Sequence, residues 1–504
     1  MEPTQTYNSL VPFWAILASL IAVPLILLSG KKPNVREFWT LIAALVKFAL
    51  VLSLLPEVRV GKIAECTLLK LSPQIGLSLK VDAFGIFFAL IASGLWILTS
   101  IYSIGYMRGH HEKKQTRYFA SFALSLSATI GVAFSANLLT FIVFYELLTL
   151  ATYPLVIHSE TKEAIRAGRQ YLAYSLSAGL LLIAGAGWIY SATGSLDFQP
   201  GGILNGVEAT PNTFRLLFLI FVVGVGVKAG IMPFHSWLPN AMVAPTPVSA
   251  LLHAVAVVKS GVFGVIRVVG FVFGPELMTL HHLNVILGVF AGATIILASL
   301  IALQQDSLKR RLAYSTIGHL SYIVLGAALL SKDGFVGGIF HISTHAVMKI
   351  TLFFCAGAIY VNTHRQKVSE LDGIGKAMPW TMGAFAIGSL GLIGIPPING
   401  FFSKWYLVMG SVQSGWWIAL TVLLLSGLLN AAYFLPILHR AFFVKSDQFA
   451  KYGEASPWMV VPLCTTALLA VVFGLFPNLF FGFFNLAQQI TASVFNLDLS
   501  GGGQ

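Results

Sequence analysis

Apolar runs of about twenty residues recur fourteen times along this 504-residue sequence. Each is long enough to cross roughly 30 Å of hydrocarbon as a helix. In that medium every backbone polar group needs an internal partner, which leaves only helices or closed barrels. A barrel would show short alternating segments instead. The pattern therefore specifies an all-α polytopic membrane protein, and only 10% of residues are charged, against about 25% in a soluble domain. The runs fall near 11–29, 38–56, 83–106, 118–136, 138–157, 171–192, 214–232, 246–270, 284–303, 312–330, 335–361, 379–412, 416–438 and 457–482. The first lacks a basic leader and a cleavage site and reads as a retained span. Residues 57–81 alternate in part and predict an outer hairpin. Near the end, LFPNLFFGFFNLA reads as interface aromatics and LDLSGGGQ as a disordered tail.

The net charge of +12 suggests nucleic acid only until the charges are placed. Of the 31 Lys and Arg, nineteen fall in alternate connections, among them Arg108, Lys113, Lys114, Arg117, Lys309, Arg310 and Arg311. The opposite side holds five: Arg59, Lys62, Lys70, Lys80 and Lys332. By the positive-inside rule both termini lie outside a cell membrane, a bacterial or archaeal plasma membrane being expected. The basic balance thus belongs to cytoplasmic loops and implies no nucleic-acid partner. Cys66, Cys355 and Cys464 offer neither CxxC nor metal spacing. No phosphate loop, haem, flavin or iron–sulfur motif occurs, so no cofactor, no metal and no redox chemistry are expected in this chain.

Subtracting the loop charges isolates the informative residues. Lys47, Lys228, Lys259, Lys349 and Lys404 remain within spans, and Glu146 is the one acidic residue at mid-span, inside LTFIVFYELLTLATYPLVI (139–157). Asp82 and Asp333 fall at span edges, Arg215 and Arg267 near span ends. A charge at the bilayer centre costs about 2.5–3.5 kcal/mol, so six facing lipid would cost on the order of 15 kcal/mol. They are expected to face one another, or water.

Two spans are interrupted: the seventh runs into GIMPFHSWLPNAMVAPTP (230–247), and the twelfth contains GIPPINGFFSKW (394–405). Proline breaks the helical ladder, and at membrane depth that is tolerated only inside protein or along a wet cavity. The breaks lie five spans apart, each with a lysine close by, Lys228 and Lys404. Five is odd, so a second copy inserts upside down. Spans 4–8 and 9–13 therefore read as inverted repeats, whose matched broken helices point to a mid-membrane transport site. The expected divisions are residues 1–110 (three helices and the hairpin), 118–270 (first repeat), 284–438 (inverted second repeat) and 439–504 (last helix and tail).

Within this frame Glu146 and Lys228 form a candidate switch: a nearby ammonium stabilises the carboxylate, and moving it away lets the carboxyl take up a proton. The alternative is a static ion pair. Lys259 follows His253 by six residues and is a candidate for proton loading, or a cap on the broken end of span 7. His341, His345 and Lys349 recur every fourth residue, on one helix face. HxxxH suits zinc, but no further ligand is evident. A proton wire fits better, with interhelical hydrogen bonding as the alternative. His319 on span 10 and His235 in the first break extend such a wire. Lys404 is a candidate gate or a snorkelling side chain. Lys47, outside the repeats, reads as snorkelling or as a contact to another subunit.

KAGIMPFHSWLPNAMVAPTPVSALLHAVAVVKSGVF, DSLKRRLAYSTIGHLSYI, HISTHAVMKITLFFCAGAI and GIPPINGFFSKW resemble the antiporter-like subunits of Mrp-type Na⁺/H⁺ antiporters and of respiratory complex I, over roughly residues 80–490. The resemblance implies fourteen core helices, two inverted five-helix half-channels and ion translocation without a bound redox cofactor. It assigns the lysine-paired glutamate to Glu146, the broken-helix lysine to Lys228 and the bridging lysine to Lys259. The central-axis residues fall on Lys349, His341 and His345, and the gate on Lys404. Two departures, the absence of a long C-terminal extension and a lysine at the gate, favour the D-type member of an Mrp antiporter. The expected function is proton translocation within a multisubunit Na⁺/H⁺ antiporter, with other membrane subunits, the bilayer, protons and Na⁺ as partners. The alternatives are a pumping subunit of an NADH:quinone oxidoreductase or membrane-bound hydrogenase, and a non-conducting scaffold.

Overall fold

The computed structural model describes residues 5–72 and 74–497. Helices occupy every expected span: α1 (Val11–Leu28), α2 (Pro33–Arg59), α3 (Ala83–Gly109), α4 (Gln115–Ala133), α5 (Leu138–Val156), α6 (Lys162–Thr193), α7 (Pro211–Ala229), α8 (Thr246–Leu280), α9 (Leu283–Gln304), α10 (Leu308–Ala328), α11 (Lys332–Thr363), α12 (Pro379–Ile393), α13 (Gly400–Gln413), α14 (Trp417–Phe442) and α15 (Pro457–Leu475). Among the described residues eleven helices are long and apolar enough to cross a membrane alone. α4 and α10 fall short because their serines, threonines and basic residues lower their mean hydropathy. α12 and α13 are the two halves of the broken span.

The helix ends follow their sequences. Asp82, Asn137, Thr161, Thr210 and Ser331 each accept a backbone N–H at the start of α3, α5, α6, α7 and α11, satisfying a donor that the first turn leaves free. Gly230 and Gly394 close α7 and α12 in the left-handed region (φ 71° and 100°), where glycine carries no Cβ penalty.

The two interrupted units match. A backbone bridge joins Asn137, before α5, to Asp197, after α6; another joins Ser307, before α10, to Lys367, after α11. The first lies beside the hairpin, where Asn137 Nδ2 donates to Gly76 O at 3.0 Å. The second lies at a cavity that Ser307 shares with Glu112 and Arg166. α4 connects those two sides, so equivalent bridges sit on opposite faces of the slab, as inverted units require.

α8 and α11 are buried along their whole membrane stretch and form the axis of the molecule. α8 is not regular: π-helical turns occupy Leu251–Val255 and Val268–Phe273, on either side of an α segment, Val257–Arg267. Arg267, placed near a span end by the sequence, is wholly interior. It donates to both Asp82 oxygens at 2.6 and 2.8 Å and is ringed by Phe84, Phe198, Phe263 and Phe271.

The hairpin is present as β1 (Thr6–Asn8), β2 (Ile63–Lys70) and β3 (Gly76–Val81) in the order β1-β2-β3. Its expected first residues belong to α2, and an N-terminal strand is added. The aromatic tail is only half at an interface. Phe476 and Phe480 are exposed, but Phe483, Leu486 and Ala487 are buried in a further helix, α16 (Phe483–Phe495), against α3 and α11. The expected disordered tail lies, beyond Leu497, outside the described residues.

Candidate functional site

Glu146 sits midway along α5, where its carboxylate lies against α6 at Gly179; a Cβ added there would meet Glu146 Cδ at 2.7 Å. Both carboxylate oxygens are buried and accept no hydrogen bond. Their partner is electrostatic: Lys228 Nζ, from the last turn of α7, is 3.8 Å from Oε1. The same ammonium donates to Tyr145 O and lies 3.3 Å from the Tyr145 ring centroid. Tyr145 thus solvates the lysine on two sides, a backbone carbonyl and a π face. Lys228 touches the carboxylate from a shell that holds it without neutralising it.

α8 passes directly behind. Gly261 is so close to the α7 backbone that a Cβ would meet Ala229 N at 2.2 Å and Lys228 C at 2.4 Å. Two residues earlier, Lys259 Nζ is 2.7 Å from His345 Nδ1 on α11. From there the imidazole rings cluster, although His345 Nε2 itself has no hydrogen-bond partner. The His345 ring lies 5.6 Å from that of His319 and 5.9 Å from that of His341. His319 and His341 stack at 5.3 Å, with Nδ1 and Nε2 3.1 Å apart. His341 Nδ1 is 2.8 Å from Ser403 Oγ on α13. Asn430, on α14, fills the gap to the gate. Its amide lies 3.4 Å from His319 Nε2; turned so that its oxygen faces Lys404, it accepts from Nζ at 3.1 Å and from Tyr322 Oη at 3.3 Å. Lys404 also donates to Ile393 O at 2.9 Å, a carbonyl freed by the break after α12.

The chain of contacts is therefore Lys259, His345, His341 with His319, Asn430, Lys404, with Glu146–Lys228 at its near end across Gly261. Three candidate residues stand beside it. Lys349 donates to Leu312 O at 3.2 Å and lies 5.6 Å from the Phe434 ring. His253 packs on Phe353, with both ring nitrogens unpartnered. His235 faces Tyr314 at the rim of the first break. Asn430, Tyr322, Tyr145 and Ser403 were missed in the sequence. Asn430 alone carried a usable signal, as an amide in the middle of the apolar run LLLSGLLNAAYF.

Lys47 does not snorkel: it is 0% exposed, and its amine points into α1, where it donates to Ser19 Oγ at 2.5 Å. A cavity of about 1060 Å³ opens on the side of the basic connections, lined by Glu112, Arg166, Lys309, Arg310 and Arg365 among others.

Residues 135–430 match the family model described as "NADH:quinone oxidoreductase/Mrp antiporter, TM", and residues 71–119 that described as "NADH-Ubiquinone oxidoreductase (complex I), chain 5 N-terminus". NADH-quinone oxidoreductase subunit N of Desulforudis audaxviator is 32% identical over 421 residues, covering 80% of this chain and 83% of that protein. The D component of the Na⁺/H⁺ antiporter of Alkalihalophilus pseudofirmus is 28% identical, covering 79% and 80%. The fold is shared with a chain of the Mrp complex from Dietzia, with a TM-score of 0.86 over 97% of both chains at 19% identity.

Proposed function

Since this chain belongs to the family of NADH:quinone oxidoreductase and Mrp antiporter membrane subunits, we propose that it moves protons along the row from Glu146 to Lys404 as one subunit of a Na⁺/H⁺ antiporter complex. One observation carries the reading: the titratable side chains of α5, α7, α8, α10, α11 and α13 meet in the interior instead of dispersing toward lipid.

Each residue then has a role. Lys228 gates loading, because its distance from Glu146 decides whether the carboxyl holds a proton. Lys259 passes the proton to His345, from which it crosses to the hydrogen-bonded nitrogens of His319 and His341 5.6–5.9 Å away between ring centres. Lys404 releases it on the far side, with Asn430 bridging the last step. Lys349, His253 and His235 are accessory groups beside the relay. A unit charge against 100 mV is worth about 2.3 kcal/mol, enough to change the occupancy of such sites more than tenfold. The basic connections lie inside a plasma membrane and both termini outside. Sodium, which prefers several oxygen ligands, passes at a contact with another subunit, because the row supplies one carboxylate.

The test is ion exchange by the purified complex in proteoliposomes. A Na⁺ pulse should acidify or alkalinise the lumen, and Glu146→Gln or Lys228→Ala should slow that exchange at least about a hundredfold, the scale of losing a positioned proton-transfer group. Assembled variants exchanging at the normal rate would make the chain a scaffold. The relative NADH-quinone oxidoreductase subunit N supports a second reading, pumping driven by electron transfer elsewhere in the complex. Exchange that needs an electron donor and ignores Na⁺ would select it.

A further inference from the structure

No residue of the row from Glu146 to Lys404 lines the cavity of about 1060 Å³ on the basic side. Pockets for small molecules measure about 300–1,000 Å³, so this one has room for more than water. One wall is the beginning of α10, where Ser307, Leu308, Lys309 and Arg310 all line the space. Ser307 is the N-cap residue, but its hydroxyl makes no cap bond. Leu308 N donates to Gln366 O at 2.9 Å, and Arg311 N donates to Ser307 O. The N–H groups of Lys309 and Arg310 therefore have no carbonyl to bond within the helix. A helix start of this kind attracts anions, and phosphate in particular.

A different element adds an independent sign. Thr246, where α8 begins, also lines the cavity; it is 1% exposed, and its Oγ1 makes no hydrogen bond. A buried hydroxyl in that state calls for a guest that accepts its proton. The charges agree. Arg166, Lys309, Arg310 and Arg365 line the space against Glu112 and Glu163. Arg365 is 3.9 Å from Glu370, but among the described residues no carboxylate lies within 4 Å of Arg166, Lys309 or Arg310. Glu112 has His110 and His158 at 4.0 and 3.8 Å, and Glu163 lies in the first turn of α6, where a negative charge suits the helix dipole. Lys309 Nζ donates to Ala244 O at 2.6 Å and keeps two further N–H groups. Donors and positive charge thus outnumber acceptors and negative charge.

We propose that this cavity binds a phosphate-bearing molecule, held by the start of α10 and by the guanidinium groups of Arg166 and Arg310. The Lys309 and Arg310 N–H groups and the Ser307 hydroxyl donate to the phosphate oxygens, and a planar guanidinium matches two of those oxygens at once. A carboxylate offers fewer acceptors and fills this donor set less well. The phosphate belongs either to a phosphorylated solute or to a phospholipid headgroup; the recognition chemistry is the same.

The test reads binding to the purified whole complex, so it stands whether or not the chain moves protons. Labelled inorganic phosphate is measured by equilibrium dialysis, and phosphatidylglycerol by native mass spectrometry after lipid removal. Acetate is the carboxylate control. Arg166 and Arg310 are exposed, so Arg166→Gln and Arg310→Gln leave the packing intact; Arg169→Gln, also exposed on α6 but outside the cavity, removes the same charge elsewhere. Arg166→Gln and Arg310→Gln should each weaken phosphate binding at least about tenfold, the scale of one lost hydrogen bond to a charged group, while Arg169→Gln leaves it unchanged. If phosphatidylglycerol alone binds, with the same dependence on Arg166 and Arg310, the proposal holds with a headgroup as the source. Acetate binding as tightly as phosphate, equal losses in all three variants, losses in none of them, or no binding of either phosphate probe would each overturn it.

Discussion

Glu146 keeps its place in an apolar helix because three neighbours shape the space around it. Lys228 supplies the opposite charge at 3.8 Å, Tyr145 holds that lysine, and Gly179 leaves room for the carboxylate. The glycine makes the first of these relations testable. Gly179→Ala puts a methyl group into the space of Glu146 Cδ, and the side chain must swing aside. The variant should assemble, since a helical alanine is favourable, but exchange ions about tenfold more slowly with a displaced pH profile. Normal exchange would mean that the Glu146 position is immaterial. Glu146 and Lys228 were legible in the sequence because a charge inside an apolar run is costly and therefore informative. Ser403 was not, and Asn430 showed only as an amide in an apolar run, since neutral polar residues are common in spans and declare their partners only in three dimensions. Lys47 was visible but misplaced: periodicity gives a lysine's depth along a helix, not the direction its amine takes.

α8 shows what an element adds beyond its residues. Its π-helical turns bracket Val257–Arg267, the segment carrying Lys259, and such turns recur at functional positions in helices. Gly261 presses that segment on α7, and the Arg267 pair with Asp82 fixes its far end to the start of α3. Burial alone would raise the Asp82 carboxyl, but Arg267 and the Gly85 N–H outweigh it and hold it below the ordinary carboxylate range. A depressed value stabilises the fold fully above the ordinary range, near pH 4, and that stability is lost as pH falls through the folded value. Thermal inactivation of the complex should therefore worsen below about pH 4. Asp82→Asn should be less stable at neutral pH by about 3 kcal/mol, the low end for breaking a buried pair, and should show a flatter acid limb. An unchanged acid limb would assign the acid sensitivity elsewhere. The sequence placed both residues at span edges, but nothing in it joins positions 82 and 267. The irregular turns were equally hidden, because LLHAV and VVGFVF are apolar by any periodicity.

At the scale of the molecule, the number of spans and the two breaks were readable, since hydrocarbon thickness fixes helix length and proline marks the interruptions. What the breaks face was not. In the first, Ile231, Met232 and Trp237 are buried and Pro233 alone of residues 231–239 is exposed, whereas Ile395, Pro396 and Pro397 of the second are all exposed. Irregular backbone at membrane depth is tolerated only when covered by protein or wetted. Hence another subunit should cover it in the complex. Ile395→Cys should react with a membrane-permeant maleimide at least about fivefold more slowly in the assembled complex than in the chain alone, on the scale of an interfacial site. Equal reactivity would place the contact on another face.

The row and Lys349 beside it hold four lysines, Lys228, Lys259, Lys349 and Lys404, and one carboxylate, Glu146. With all four amines loaded, Glu146 ionised and the histidines neutral, this interior would carry three uncompensated positive charges, at a cost of several kcal/mol per ion. On the proposed path occupancy would therefore alternate, one amine empty beside one loaded, and an arriving proton would be accommodated only as another departs. If protons take the proposed path, such an interior would not conduct like an open pore; it would advance by displacement, and stalling either end would halt the whole line.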